Sequence, residues 1–142
     1  MAIISFKSDS TTLILNGQVI SDLITGDILE LAPSNNDTAR VYGANHAVNV
    51  QKSAVADVYT LKFRVMKNSD SDIFLNTQLN LPTPVIFEGS IKERFMKNGT
   101  EAVENFKLSS GSFITRPTHS KNNVDGNGQV EYTIECFASR MI

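Results

Sequence analysis

The chain has 142 residues, 41% hydrophobic and 20% charged, a balance that argues against disorder and suits one domain burying about two thirds of its unfolded surface. Its formal net charge of −2 gives no bulk attraction to nucleic acid or to an anionic membrane. The single cysteine, Cys136, excludes an intramolecular disulfide, and no stretch approaches the roughly 20 apolar residues that span a bilayer.

The N-terminal "MAIISFKSDS" has neither a basic region nor an apolar run long enough for a signal peptide. The expectation is therefore a soluble protein made in a reducing cytoplasm. Short strands are expected at 3–8, 11–15 and 27–32, with Asn16-Gly17 in "LNGQV" suited to the positive φ angles of a tight hairpin. Residues 32–54, "APSNNDTARVYGANHAVNVQKSA", are polar and only weakly periodic, and they read as an extended loop with a short strand at 47–51. Loops of that length in a compact domain are usually functional or disordered, because their backbone groups need partners.

The strongest periodicity follows. In 58–66, Tyr59, Leu61, Phe63 and Val65 alternate with Thr60, Lys62 and Arg64, the signature of a half-buried antiparallel strand. A helix is expected over 70–80, capped by Ser69 or Ser71 and favoured by Asp70 and Asp72, with an apolar face of Ile73, Phe74, Leu75 and Leu79. The prolines of "LPTP" (81–84) end it. In 85–97, Val85, Phe87, Ile91 and Phe95 alternate with Glu88, Lys92 and Arg94, and "KNGTE" (97–101) turns into a strand at 105–115. Residues 116–128 form a second polar loop containing the turn "DGNG", after which Val130, Tyr132, Ile134 and Cys136 alternate with Gln129, Glu131, Thr133 and Glu135. Together these elements predict a mainly β single domain over 1–142, with two packed antiparallel sheets of sandwich or barrel type, one short flanking helix and a long extended loop.

No reactive constellation accompanies them. His46 and His119 lie in the polar segments without ligand spacing, and Cys136 sits on the apolar side of a strand pattern, as a small hydrophobe would. "NVDGNG" (123–128) starts like a calcium loop, but Ile134 stands where a bidentate glutamate is required. The sequons "NDT" and "NGT" are patterns only, and GxSxG, HExxH, GxGxxG and phosphate-loop motifs are missing. Lys62, Arg64, Lys92 and Arg94 share polar strand positions with Glu88, Glu131 and Glu135 and lack interleaved aromatics. They read as solvated or cross-strand pairs, not as a nucleic-acid groove. The expectation is a protein without enzymatic activity, cofactor or metal.

The run "GDILELAPSNNDTARVYGANHAVNVQKSAVADVYTLKFRVMKNSDSDIFLNTQL" (26–79) resembles the tail tube proteins of contractile-tailed bacteriophages. In that family an acidic early strand precedes an extended polar loop with a Tyr-Gly and Asn-rich segment, then a Thr/Leu/Arg-rich strand and a short helix. The match here lies in Gly26-Asp27, Pro33, Tyr42-Gly43, Leu61, Arg64, the "NSDSD" cap (68–72) and the closing strand "GQVEYTIECFASRMI" (128–142). The tubes of phage-like bacteriocins and of type VI secretion are close variants of this class.

The resemblance implies a structural virion protein: six subunits close into a ring, their sheets join into a continuous barrel, and rings stack into a hollow tube through which DNA is ejected. It implies that the 32–54 loop, with Asn35, Asn36, Asp37, Arg40, Tyr42, Asn45 and His46, reaches the adjacent ring. It also makes the wet strand face of Lys62, Arg64, Glu88, Lys92, Arg94, Glu131 and Glu135 a lumen-lining or inter-subunit surface. Its implied partners are further copies of itself, the tail sheath, the baseplate tube initiator and the tail terminator. The tape measure protein and DNA pass through the lumen, and no membrane is involved. The implied location is the virion tail, after assembly in the host cytoplasm. The alternative from a different class is a β-sandwich binding module of carbohydrate-binding or adhesin type. It is weakened by the absence of Trp and by the core-facing pattern of Tyr59 and Tyr132, which leaves only Tyr42 for a sugar platform.

Overall fold

The computed structural model describes residues 1–24, 29–124 and 126–141. Gly26 and Asp27, the start of the strand expected at 27–32, and Asp125 of the "DGNG" turn lie outside the described residues. The described elements are β1 (Ile4–Leu15), β2 (Gln18–Ile20), β3 (Leu29–Pro33), β4 (Thr38–Tyr42), β5 (Val48–Lys52), β6 (Val58–Met66), α1 (Asp70–Leu79), β7 (Phe87–Lys97), β8 (Thr100–Phe113), β9 (Thr118–Lys121) and β10 (Gly128–Met141). The fold is mainly β, with two antiparallel sheets and one helix, as the alternating patterns lead one to expect.

The larger sheet has eight strands in the order β2-β1-β7-β8-β10-β6-β3, with β9 added to β10. It curls on itself, so that its own two walls supply the two expected layers. The segment after β2 closes one end: Leu23 bridges Val65, the Ile24 amide donates to the Arg64 carbonyl at 3.0 Å, and the Met66 amide donates to the Asp22 carbonyl at 2.9 Å. Since β2 also pairs with β1, that crossing links the first strand of the path to β6. The other end stays open between β1 and β3. Curling of this kind hides strand edges that would otherwise invite further pairing.

The alternating residues fill the interior. Leu61, Phe63 and Val65 of β6 face Ile134, Tyr132 and Val130 of β10 in register, and all six are buried together with Leu13, Leu15, Phe87, Ile91, Leu108 and Cys136. Phe63 and Tyr132 stack with ring centroids 5.9 Å apart, and Phe113 meets Phe87 edge-on at 5.1 Å. Asn16-Gly17 and Asn98-Gly99 form the expected hairpin turns, with φ of 50° and 79° and of 52° and 80°.

Differences from the sequence pattern have local causes. The expected strands 3–8 and 11–15 are one strand, β1, whose register against β7 shifts between Phe6 and Thr11. The strand expected at 105–115 begins at Thr100, because the Asn98-Gly99 turn pairs the ladder from Lys97 and Thr100 onward. The polar segment 116–128 contains β9, which pairs Thr118–Lys121 with Gly128–Glu131. Helix α1 buries Ser71, Asp72 and Leu75 but leaves Ile73 57% exposed. Positions 73 and 75 point about 200° apart on a helix, so they cannot share one face.

The helix N-terminus is a polar staple. The Ser69 hydroxyl caps it by accepting from the Asp72 amide at 3.3 Å. The Asp72 carboxylate, 6% exposed, accepts from the Asn68 amide at 2.8 Å and from the Tyr132 hydroxyl at 2.6 Å. The Ser21 amide donates to the Ser71 hydroxyl at 3.2 Å, and the Ser71 amide donates to the Asp22 carboxylate at 3.2 Å. The segment that closes the barrel is thereby tied to the helix, and the helix to β10. Burial, with the hydrogen bond to Asp72 and its charge adding to it, holds the Tyr132 phenol well above its ordinary pKa.

Candidate functional site

The segment 32–54 is not an irregular loop. Its centre is a β-hairpin in which β4 and β5 pair Thr38 with Lys52, Arg40 with Val50 and Tyr42 with Val48. This pair forms the second sheet and belongs to no other strand. The turn is held by the Gly43 amide donating to the Ala47 carbonyl at 2.7 Å and the His46 amide to the Gly43 carbonyl at 3.2 Å, with His46 at φ 66°.

Its base is tied down more firmly. Lys52 pairs with Asp37, the Ser53 backbone amide donates to the Asp37 carbonyl at 2.8 Å, and the Asn35 side-chain Nδ2 donates to the Val55 carbonyl at 3.3 Å. Every residue of both strands is exposed. The register puts Thr38, Arg40, Tyr42, Val48, Val50 and Lys52 on one face and Ala39, Val41, Asn49 and Gln51 on the other.

This arm is physically incomplete as an isolated unit. A two-stranded hairpin is marginal in water at best, because neither face is covered. Here Tyr42 is 66% exposed, Val41 67% and Val50 60%. The Arg40 guanidinium lies 5.4 Å from the Tyr42 ring centroid and stiffens one face. Of the residues expected to act at this loop, Asp37, Arg40 and Tyr42 lie on or at the hairpin strands, Asn45 and His46 in its tip, and Asn35 and Asn36 at its root. Sequence reasoning missed Val41, Val48 and Val50. Alternation in "TARVY" and "VNVQK" around a short Gly-Asn turn was the available signal, and interspersed Asn and Gln weakened it.

The wet strand residues lie on the face opposite the core: those of β6 and β10 alternate with buried neighbours, whereas Arg94 of β7 lies between the half-buried Glu93 and Phe95. They do not gather into one patch. Arg64 stands opposite Glu131, Lys62 opposite Thr133 and Glu30, and Glu135 opposite Thr60. Lys92 stands level with Asn105 and hence with Met141 of β10. Met141 is ten residues beyond Glu131 (141 − 131 = 10), about 33 Å along a strand at ~3.3 Å per residue. Lys92 and Arg94 thus sit near one end of the barrel, and the Arg64–Glu131 pair near the other. Glu88 accepts from the Ser110 amide at 3.1 Å beside the Asn16-Gly17 turn. The cations of β6 face acidic partners, while Lys92 faces Asn105 and Thr12, and Arg94 faces Val103.

A second apolar surface lies at the open end. β1 from Ile4, β7 to Lys97 and β8 from Thr100 run past the barrel as a three-stranded extension. Phe6, 61% exposed, pairs with Phe95, their ring centroids 6.1 Å apart, and Phe95 pairs with Ala102. One row deeper, Thr11, Glu93 and Glu104 stand side by side. The Glu104 carboxylate accepts from Arg140 at 2.6 Å, whereas that of Glu93 accepts only from the Thr11 hydroxyl at 3.3 Å among the described residues.

Among the described residues no group of three or more His, Cys, Asp or Glu side chains is placed to hold a metal ion. Cys136 is buried, and desolvation with the nearby Glu135 charge pushes its thiol up to about 11, which makes it a poor nucleophile at neutral pH.

No protein-family model matches the chain, and no curated protein matches it. Among solved structures, that of Hcp1 from Flavobacterium johnsoniae is similar over 92% of this chain and 93% of the other, with a TM-score of 0.49 and 14% sequence identity.

Proposed function

We propose that this chain is the structural subunit of a hollow protein tube, six copies closing a ring and rings stacking into the inner tube of a contractile phage tail through which DNA is ejected. The observation that carries this reading is the β4–β5 arm. It projects from the barrel with apolar side chains exposed on both faces, and a solitary hairpin of that kind gains its missing contacts from another subunit. The order of elements in the sequence, a polar arm followed by the long alternating strand and a capped helix, supports the same class. The mixed charges on the outer strand faces suit a conduit that DNA traverses without binding, because a uniformly cationic wall would retain it. Sheath, tube initiator, terminator and tape measure protein are the partners this role brings with it, and the virion tail is its place.

The test is direct. Purified protein is examined by negative-stain microscopy and by sedimentation across a concentration series. Rings or hollow rods of uniform width are expected, with their proportion rising with concentration. A species that stays monomeric at all concentrations overturns the proposal.

A further inference from the structure

The arm needs a seat, and the Phe6–Phe95 extension matches it in chemistry and position. We propose that the face of the arm bearing Arg40, Tyr42 and Val50 packs on the Phe6–Phe95 strip of a second copy of this chain, with Arg40 reaching Glu93. The proposal rests on the tube reading above and names the surface that reading leaves open.

Four observations support it. First, both faces of the arm are exposed, and on the strip Phe6 is 61% exposed beside the half-buried Phe95 and Ala102, while the half-buried Glu93 one row deeper borders a small cavity shared with Leu29 and Leu31 of β3. Second, the sequence of chemistry along the two faces is complementary. On the arm, Tyr42 and Val48 are followed one row on by Arg40 and Val50. On the extension, the Phe6–Phe95–Ala102 row is followed by the Thr11–Glu93–Glu104 row. An aromatic row on an aromatic row therefore brings a guanidinium to a carboxylate whose only described partner is a hydroxyl. Third, β2 covers β1 only at Leu13–Leu15, so the strip can be approached from the β1 side.

The fourth observation is topological. Because every pairing in the large sheet is antiparallel, the start of β1, the end of β7, the start of β8 and the end of β3 all lie at the same end of the barrel. The arm follows β3 and precedes β6, while the strip lies on β1 and β7. Arm and strip therefore leave the same end from different strands. A neighbour standing side by side in the same orientation offers its strip at the level of the arm. Such a contact is heterologous, and repeated around an axis it closes a ring. This places the contact within a ring, whereas the family resemblance implied one between rings.

The experiment uses one full-length chain carrying Val50→Cys and Ala102→Cys, treated with a short bis-maleimide after assembly. Cys136 is buried and stays protonated at neutral pH, so it does not compete. The expected result is a ladder of covalent species that stops at the closed ring, at six. Arg40→Glu should lower the cross-linked yield at least tenfold, and the charge swap Arg40→Glu with Glu93→Arg should restore most of it. Rods seen by microscopy without the cross-link, or with a ladder that continues past six, overturn this inference and leave the tube reading standing. A chain that stays monomeric throughout overturns both.

Discussion

Replacing Tyr132 by Phe removes one oxygen and leaves the ring, so its stacking on Phe63 and contact with Phe113 persist. What disappears is the 2.6 Å hydrogen bond from the buried hydroxyl to the Asp72 carboxylate. Hydrogen bonds to ionised groups contribute about 1.5–3 kcal/mol net, and a carboxylate left short of a partner in a buried site carries a further penalty. Asp72 keeps its bond from the Asn68 amide, which limits that penalty. The expected loss is therefore about 2–3 kcal/mol. At roughly 4 °C per kcal/mol for a domain of this size, the melting temperature should fall by about 8–12 °C. Urea unfolding should show a lower midpoint with an unchanged slope, because the surface exposed on unfolding is the same. Asp72→Asn and the double variant complete a cycle, in which the coupling between the two positions should reach about 1–2 kcal/mol. A loss below about 0.5 kcal/mol, or additive single effects, would refute the claim that this bond anchors the helix to β10.

Three further outcomes are expected. Because the folded state holds the Cys136 proton more tightly than the unfolded chain, the stabilisation is fully present below about pH 9 and is lost as pH rises through about 11; Cys136→Ala should make the fall in stability shallower across that window in denaturation curves, leaving the part above about pH 10 that the raised Tyr132 phenol contributes. Gly89→Ala would place a methyl group 1.9 Å from the Ile14 carbonyl oxygen, so β1 and β7 must part, and a loss of about 3 kcal/mol or more is expected in the same assay. Arg40→Ala with Tyr42→Ala removes only exposed side chains, so the melting temperature of the monomer should move by less than about 2 °C while rod formation, scored by microscopy and light scattering, is impaired.

How much was legible beforehand differs from element to element. The strand 58–66 and the closing strand were readable to the residue, since one side of each faces a core and burial enforces strict alternation. The hairpin turns were readable because Asn-Gly tolerates positive φ at both positions. The arm was placed as a functional segment but not as a hairpin. Both its faces are exposed in the single chain, so no burial imposes a pattern on it. The seven wet-face residues were identified as facing away from the core, and the register then spread them along the barrel. Ile73 was assigned to the wrong side of the helix because consecutive apolar residues do not define a face.

Composition and alternation alone determined that this is a mainly β domain with one capped helix, and which strand residues face inward. Those properties follow from nearest neighbours along a strand or helix, where the period of side-chain direction is fixed by backbone geometry. Tertiary structure decided that the large sheet curls and is closed by the Asp22–Ile24 crossing. It also decided that Asp72 is buried against Tyr132, and that the Phe6–Phe95 strip and the arm share one end. Each of these depends on which strands pair and in what register, which brings together residues far apart in sequence and leaves no local trace.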